Sequence, residues 1–260
     1  MKMIRHNLAI RFTHWVTALS IFVLLFTGFG QMPMYRRYNV DTLPGLKWSS
    51  DFLITLNIHY IAAAILIFIS LYYLAYLLFT KRWDILPKKG DVKESLIIMA
   101  AMVGLAKEPD NDKFLAEQRL AFAVTAFSVL ILIITGLLKV YKNLPMVSFS
   151  AKTIFWLAQL HNLFTFILLF SIIIHLLAFL YKDNRFLVPS MFTGKISRSY
   201  VEQRHKLWLA RIEGEQVPAN VVVEVLDDNI NTVAKEENEE IIEEIDDIME
   251  KTNEAEGIEL

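Results

Sequence analysis

Hydrophobic and polar positions along the 260-residue chain fall into long blocks. Four apolar runs stand out, Thr13–Phe29, Phe52–Thr80, Leu120–Leu138 and Ile154–Leu180, each long enough to cross a hydrocarbon core of about 30 Å. They predict transmembrane helices over about residues 8–31, 52–80, 118–140 and 154–182. The second is longer than a span requires and is expected to tilt or protrude. The first follows MKMIRHNLAIRF, a basic lead-in with no small-x-small cleavage site after it, so it reads as a retained helix. The segment from Gly30 to Ser50 holds two prolines with Tyr and Trp and reads as a loop. Between the second and third runs, SLIIMAAMVGLA is too short to span and is expected at the membrane interface.

These blocks predict an all-α fold, an integral membrane four-helix bundle over residues 1–182. A post-membrane segment follows over 183–214 and an acidic tail over 215–260. The tail is expected to be disordered, with Ile241, Ile242, Ile245, Ile248 and Met249 at the spacing of one short amphipathic helix.

Charge gives the orientation. Residues 1–220 hold 24 Lys and Arg against 13 Asp and Glu, while 221–260 hold 2 against 15. The loop joining the second and third helices carries eight Lys and Arg from Lys81 to Arg119, and the other two loops carry three each. The positive-inside rule then predicts a multi-pass protein of a bacterial or archaeal cytoplasmic membrane, with both termini in the cytoplasm. No nucleic-acid partner is expected. The chain has no cysteine, so it cannot ligate an iron–sulfur cluster through thiolates or attach haem covalently.

Six histidines are present, and His6 and His205 lie outside the apolar runs, where a solvated or interfacial position is expected. The other four, His14, His59, His161 and His175, lie inside them. His161 and His175 are fourteen residues apart, which places both on nearly one helix face and about 21 Å apart along the axis. Taking midpoints near residues 21, 66 and 168, each of the four sits about seven residues, or about 10 Å, from mid-membrane. They sort into two level pairs, His14 with His175 on the cytoplasmic side and His59 with His161 on the outer side.

Two histidines from different helices, facing across a bundle, suit bis-imidazole ligation of haem iron, whereas zinc asks for three or four ligands at each level. Gly28, Ala62–Ala64 and Gly136 would leave room for such a group, and small residues equally serve plain helix packing. Arg11, one turn before His14, is placed either for a haem propionate or to set topology. A relay of intramembrane histidines in a transporter or channel is a rival reading, and it would need ionisable residues between the two levels.

RFTHWVTALSIFVLLFTG (Arg11–Gly28) resembles the first helix of the b-type cytochrome subunits of membrane formate dehydrogenases and nickel–iron hydrogenases. The shared pattern is an Arg, then His-Trp three residues on, then a late Thr-Gly, here Arg11, His14-Trp15 and Thr27-Gly28. A second Thr-Gly pair, Thr135-Gly136, occupies the same place in the third helix. SMFTGKISRSYVEQRHKLW (Ser190–Trp208) is similar to the post-membrane segment of formate dehydrogenase gamma subunits and thiosulfate-reductase-type cytochromes, with His205 and Trp208 at its His-x-x-Trp end. The resemblance covers about residues 8–210, and Asn162 after His161 leans towards the formate dehydrogenase side.

The resemblance implies two b haems, ligated by His14 with His175 and by His59 with His161. It also implies an iron–sulfur subunit at the outer haem, beside a catalytic subunit, and a menaquinone or ubiquinone site at the cytoplasmic one. The expected role is therefore an electron-transfer subunit of a respiratory oxidoreductase, with no formate chemistry in this chain. A nickel–iron hydrogenase or thiosulfate-reductase-type cytochrome is the nearest alternative. A quinone being reduced needs protons from water and an apolar slot. On that ground Gln118 and Arg119, at the start of the third helix, are the candidate quinone residues.

Overall fold

The computed structural model describes residues 1–214. The acidic tail, including its expected amphipathic helix, lies outside the described residues. Four helices are long and apolar enough to cross a membrane: α1 (Leu8–Gly30), α3 (Phe52–Thr80), α5 (Ala116–Tyr141) and α6 (Ala151–Leu177). Short helices connect and follow them: α2 (Pro33–Arg37), α4 (Asp91–Met102), α7 (Lys182–Arg185), α8 (Val188–Thr193), α9 (Arg198–Arg204) and α10 (Lys206–Glu213). The first compact unit is Met1–Lys206; a second begins at Leu207 and holds nearly all of α10, with Trp208 on it.

Helix starts follow from capping. The Asn7 side chain accepts from Ile10 N at 3.0 Å, the Asp51 carboxylate accepts from Leu53 N and Ile54 N at 2.9 and 3.1 Å, and Ser150 Oγ accepts from Thr153 N at 3.1 Å. Ser150 starts α6 at Ala151, three residues before the predicted start, because the cap satisfies amides that the hydrophobic run alone does not mark. After Leu177 the chain tightens into a 3-10 turn, Ala178–Leu180. The loop after α1 is ordered by α2, where Tyr35 Oη and Ser49 Oγ are 2.7 Å apart. Gly30, the last residue of α1, has to be glycine because a Cβ there would sit 2.5 Å from Ser49 O.

Long stretches of α1 lie along α3, and of α5 along α6. All four helices meet in one buried cluster of Ile21, Leu25, Leu66, Ile69, Val129 and Leu168. Ile21, Leu66 and Leu168 are the residues taken as the midpoints of their spans, so the core lies at mid-depth with a histidine level on either side. Most other large apolar side chains on these helices point outward, as lipid-facing residues do.

The end of the bundle that carries the N-terminus and the segment after α6 is closed by polar structure. Strand β1 (Lys2–Ile4) pairs antiparallel with β2 (Lys195–Ser197), in the register Met3 with Ile196. Gly194, at φ +78°, receives Arg5 N and His6 N on its carbonyl at 2.8 and 3.2 Å. Among the described residues this two-stranded ribbon is the one element outside the predicted all-α pattern; three-residue strands leave no readable alternation.

Candidate haem site

His14, His59 and His161 are half-buried, and His175 is more open. At the terminal end the His14 and His175 rings come together, with centroids 6.4 Å apart and planes at 52°. Two imidazoles each about 2 Å from one metal ion would have centroids about 6 Å apart, so the spacing fits a shared iron. His14 Nδ1 is buried without a hydrogen-bond partner, and Trp15 packs edge-on to its ring at 5.1 Å.

At the far end each histidine is held by a threonine from the neighbouring helix of its pair. Thr27 Oγ1 lies 2.9 Å from His59 Nδ1, and Thr135 Oγ1 lies 2.8 Å from His161 Nδ1. The threonine hydroxyls donate to helix carbonyls one turn back, Val23 O at 2.8 Å and Ile131 O at 2.7 Å. Each Oγ1 then faces the imidazole as an acceptor, Nδ1 carries the proton, and Nε2 keeps its lone pair. That is the tautomer a metal-ligating histidine needs.

Gly28 and Gly136 follow these threonines, and a Cβ on either would lie 3.6 or 3.7 Å from the Cε1 of His59 or His161. The two Thr-Gly pairs are therefore equivalent supports for the two histidines of one level. The sequence showed the repeat but not its purpose, because the hydrogen bonds cross between helices. Of the small residues once grouped with these glycines, Ala62 is buried and Ala64 is exposed.

The donor set favours haem over a bare ion. Among the described residues no group of three or more His, Cys, Asp or Glu is placed to hold a metal. The mid-depth core between the two levels is built of Ile, Leu and Val, which offers no ionisable relay.

Arg11 donates from Nη1 to Phe192 O, and its Nε is buried without a partner. Trp15 donates from Nε1 to Met191 O at 3.0 Å and packs on Phe192 at 4.8 Å. The Arg-x-x-His-Trp motif thus fastens α8 against α1 on both sides of His14.

Next to this level, His6, Tyr73, Tyr76, Asp84, Lys113 and Phe122 line a cavity of about 110 Å³. His6 is 7% exposed, with Nδ1 buried and unpartnered. Burial, helped by the charges of Arg5, Lys113, His14 and Arg11, pulls its pKa down to about 3, so the ring is neutral. Asn7 Nδ2 donates to Tyr76 Oη at 2.7 Å, and Lys113 pairs with Asp84 at 3.6 Å.

The outer-lying histidines correct the sequence reading. Neither His6 nor His205 is solvated: His205 is fully buried. Its Nδ1–H donates to Asp112 O at 2.7 Å, and its Nε2 accepts from Arg5 Nη1 at 3.3 Å. Arg5 Nη2 also donates to Lys113 O at 2.6 Å. His205 thus joins the N-terminus, the middle loop and the post-membrane segment, three regions distant in sequence. Burial, with the Arg5 charge beside it, pulls its pKa down to about 4.

Gln118 and Arg119 are both engaged at the start of α5. Gln118 Oε1 accepts from Leu115 N at 3.4 Å. Arg119, 4% exposed, binds both oxygens of Asp91, at 2.8 and 2.6 Å, and Phe114 O at 2.6 Å. Its Nη2 also reaches Glu94 at 3.4 Å.

A four-helix bundle long and apolar enough to cross a membrane, with histidines in its spans on either side of an apolar core, has the make-up of a b-type membrane cytochrome. The family model for prokaryotic cytochrome b561 matches residues 5–194, and the chain belongs to that family. Haem b is the cofactor this family implies. The chain is also 23% identical over 240 residues to the formate dehydrogenase cytochrome b556 subunit of Haemophilus influenzae, covering 90% of this chain and 92% of that protein.

Proposed function

We propose that this protein is the membrane-anchoring cytochrome b subunit of a formate dehydrogenase complex. It holds two b haems and passes electrons between an iron–sulfur partner subunit and the quinone pool. The observation that carries the reading is the pairing of His14 with His175, at 6.4 Å between centroids, on one side of the apolar core. His59 and His161, each fixed by a threonine, stand on the other side. The full-length similarity to a formate dehydrogenase subunit supports the choice of complex.

His14 with His175 would hold one haem and His59 with His161 the other; iron ligated by two imidazoles supplies one-electron redox chemistry and leaves no open position for small ligands. Thr27 and Thr135 orient the far-level rings and present Nε2. Arg11, with Nε buried and unpartnered, is assigned to a propionate. With haem bound, the His59–His161 level, on the outer face where the iron–sulfur and catalytic subunits assemble, would receive electrons, and the His14–His175 level, about 20 Å away, would pass them on. The lysine- and arginine-rich middle loop supports a cytoplasmic position for that level.

There the cavity beside His6 offers an aromatic slot with proton-bearing groups for a menaquinone or ubiquinone head. Gln118 lies one helical turn before Phe122 of its lining and is assigned to the same site. Arg119 serves the site by holding the first turn of α5 in place.

The test is haem stoichiometry of the full chain purified from membranes, with the four histidines replaced singly. Two non-covalent haems are expected. His59→Ala and His161→Ala should remove one and the same haem, and His14→Ala and His175→Ala the other. If His14 and His59 share an iron, the reading fails. Co-purification with a formate-oxidising subunit tests the complex separately.

A further inference from the structure

Helix α4 has two faces. Asp91, Ser95 and Ile98 are buried, and Ile98 joins Leu115 and Ala116 in a small core at the start of α5. Val92, Leu96, Met99 and, just past the helix, Val103 recur at helical spacing and form a neighbouring stripe. Their side chains are 65%, 59%, 47% and 70% exposed. Leu105 beyond them is 82% exposed.

Charges around the stripe are sorted by sign. Both acids of α4, Asp91 and Glu94, are turned to Arg119. Lys89, Lys93 and Lys107 are exposed, and none forms an ion pair among the described residues. At about 100° per residue, Lys93 falls on the edge of the stripe away from the buried face. The outward side of α4 is therefore apolar with a cationic rim.

We propose that α4 is a lipid-binding helix whose Val92–Leu96–Met99–Val103 stripe lies in the boundary layer of an anionic phospholipid leaflet. The bond between Asp91 and Arg119 ties the first turn of α4 to the first turn of α5, which starts a membrane span. This holds the stripe at the level where acyl chains meet headgroups. An apolar face shallowly buried with lysines at its edge is the arrangement interfacial helices use. Lysine charge complements acidic headgroups, and no anion of α4 opposes it.

The chain has no native cysteine, so single labels report without background. A nitroxide on Leu96→Cys or Val103→Cys is placed in the full chain, in nanodiscs of phosphatidylcholine alone or with phosphatidylglycerol. Its relaxation by oxygen is compared with that by a water-soluble nickel chelate. Oxygen should dominate at both positions, more strongly with phosphatidylglycerol, and added salt should weaken that difference. Lys89→Gln, Lys93→Gln and Lys107→Gln should each lower phosphatidylglycerol enrichment around the protein by up to about fivefold. Preferential relaxation by nickel in both nanodiscs overturns the proposal. Protection that appears only when two copies share a nanodisc overturns it as well, in favour of self-association. Enrichment unchanged by all three lysine replacements overturns the anionic specificity.

Discussion

Thr27 Oγ1 lies 2.9 Å from His59 Nδ1, and the same hydroxyl donates to Val23 O one turn back in its own helix. The second bond decides the direction of the first. With its proton committed to a carbonyl, the threonine can only accept, so His59 carries its proton on Nδ1 and keeps Nε2 as a lone pair. Replacing Thr27 or Thr135 with Val removes the acceptor while keeping the shape. Each change should weaken retention of the far-level haem by about 10- to 100-fold, the range for lost supporting bonds to a ligating histidine. Thr27→Ser should restore it. A competitive haem-transfer assay on the purified chain measures this, and an unchanged Thr27→Val sinks the orienting role.

Much of this support could be read from the chain before its fold. The spans, the positions of the four histidines within them and the repeated Thr-Gly pairs are local patterns, and period and length alone give them. What Thr27 does for His59 is not local, since 32 residues separate them. His205 shows the same limit more sharply. Its surroundings in sequence are polar, which predicts exposure, yet Arg5 and the carbonyl of Asp112 enclose it. Burial of a polar residue depends on partners that arrive from elsewhere in the chain. The Asp91–Arg119 bond is hidden in the same way, because 28 residues separate its partners.

His6 and His205 should make the terminal end sensitive to acid. Both are buried neutral, with pKa values near 3 and 4 in the fold. Unfolded, each would titrate near its ordinary value of about 6.5. Between those values the unfolded state binds more protons, so stability falls as pH drops below about 6.5. Each histidine contributes a slope of about 1.4 kcal/mol per pH unit. Thermal melts of the purified chain from pH 7 to pH 5 measure this, and His205→Gln should flatten the dependence. A dependence identical in both proteins would mean His205 does not titrate on opening.

Gly194 should tolerate no side chain. Its φ of +78° belongs to the left-handed region, and a Cβ would lie 2.5 Å from His6 O and 3.3 Å from Arg11 Nε. Backbone strain and overpacking together should cost about 2–4 kcal/mol in Gly194→Ala. The damage should spread to His14, because Arg11 and Trp15 both bind α8 just before this residue. The expected readout is a lower melting temperature, accompanied by a changed spectrum of the haem assigned to His14 and His175. A Gly45→Ala control is also strained at φ +81°, but it has no atom within 4 Å of its Cβ, and it should leave that spectrum alone.

Arg119 and its neighbour Gln118 should fail in different ways. Arg119 is 4% exposed and Asp91 2%, so each charge is acceptable only because the other is there. Arg119→Gln strands the Asp91 carboxylate and should cost about 3–5 kcal/mol. Asp91→Asn with Arg119→Gln removes both charges and should recover part of that loss. The Arg119 guanidinium also holds the Asp91 carboxyl below its ordinary range. The pair's contribution is therefore present above the unfolded carboxylate pKa and lost as pH falls through the lower folded value. Gln118 only caps a backbone amide, and weakly at 3.4 Å, so Gln118→Ala should change the melting temperature little. If Gln118 faces the quinone, its removal should raise the apparent KM for quinone with both haems retained. Melting curves and quinone-reduction kinetics on the same preparations separate the two. Unchanged kinetics in Gln118→Ala would remove it from the quinone site. A fully stable Arg119→Gln with altered quinone kinetics would mean that Arg119 serves the quinone and not the fold.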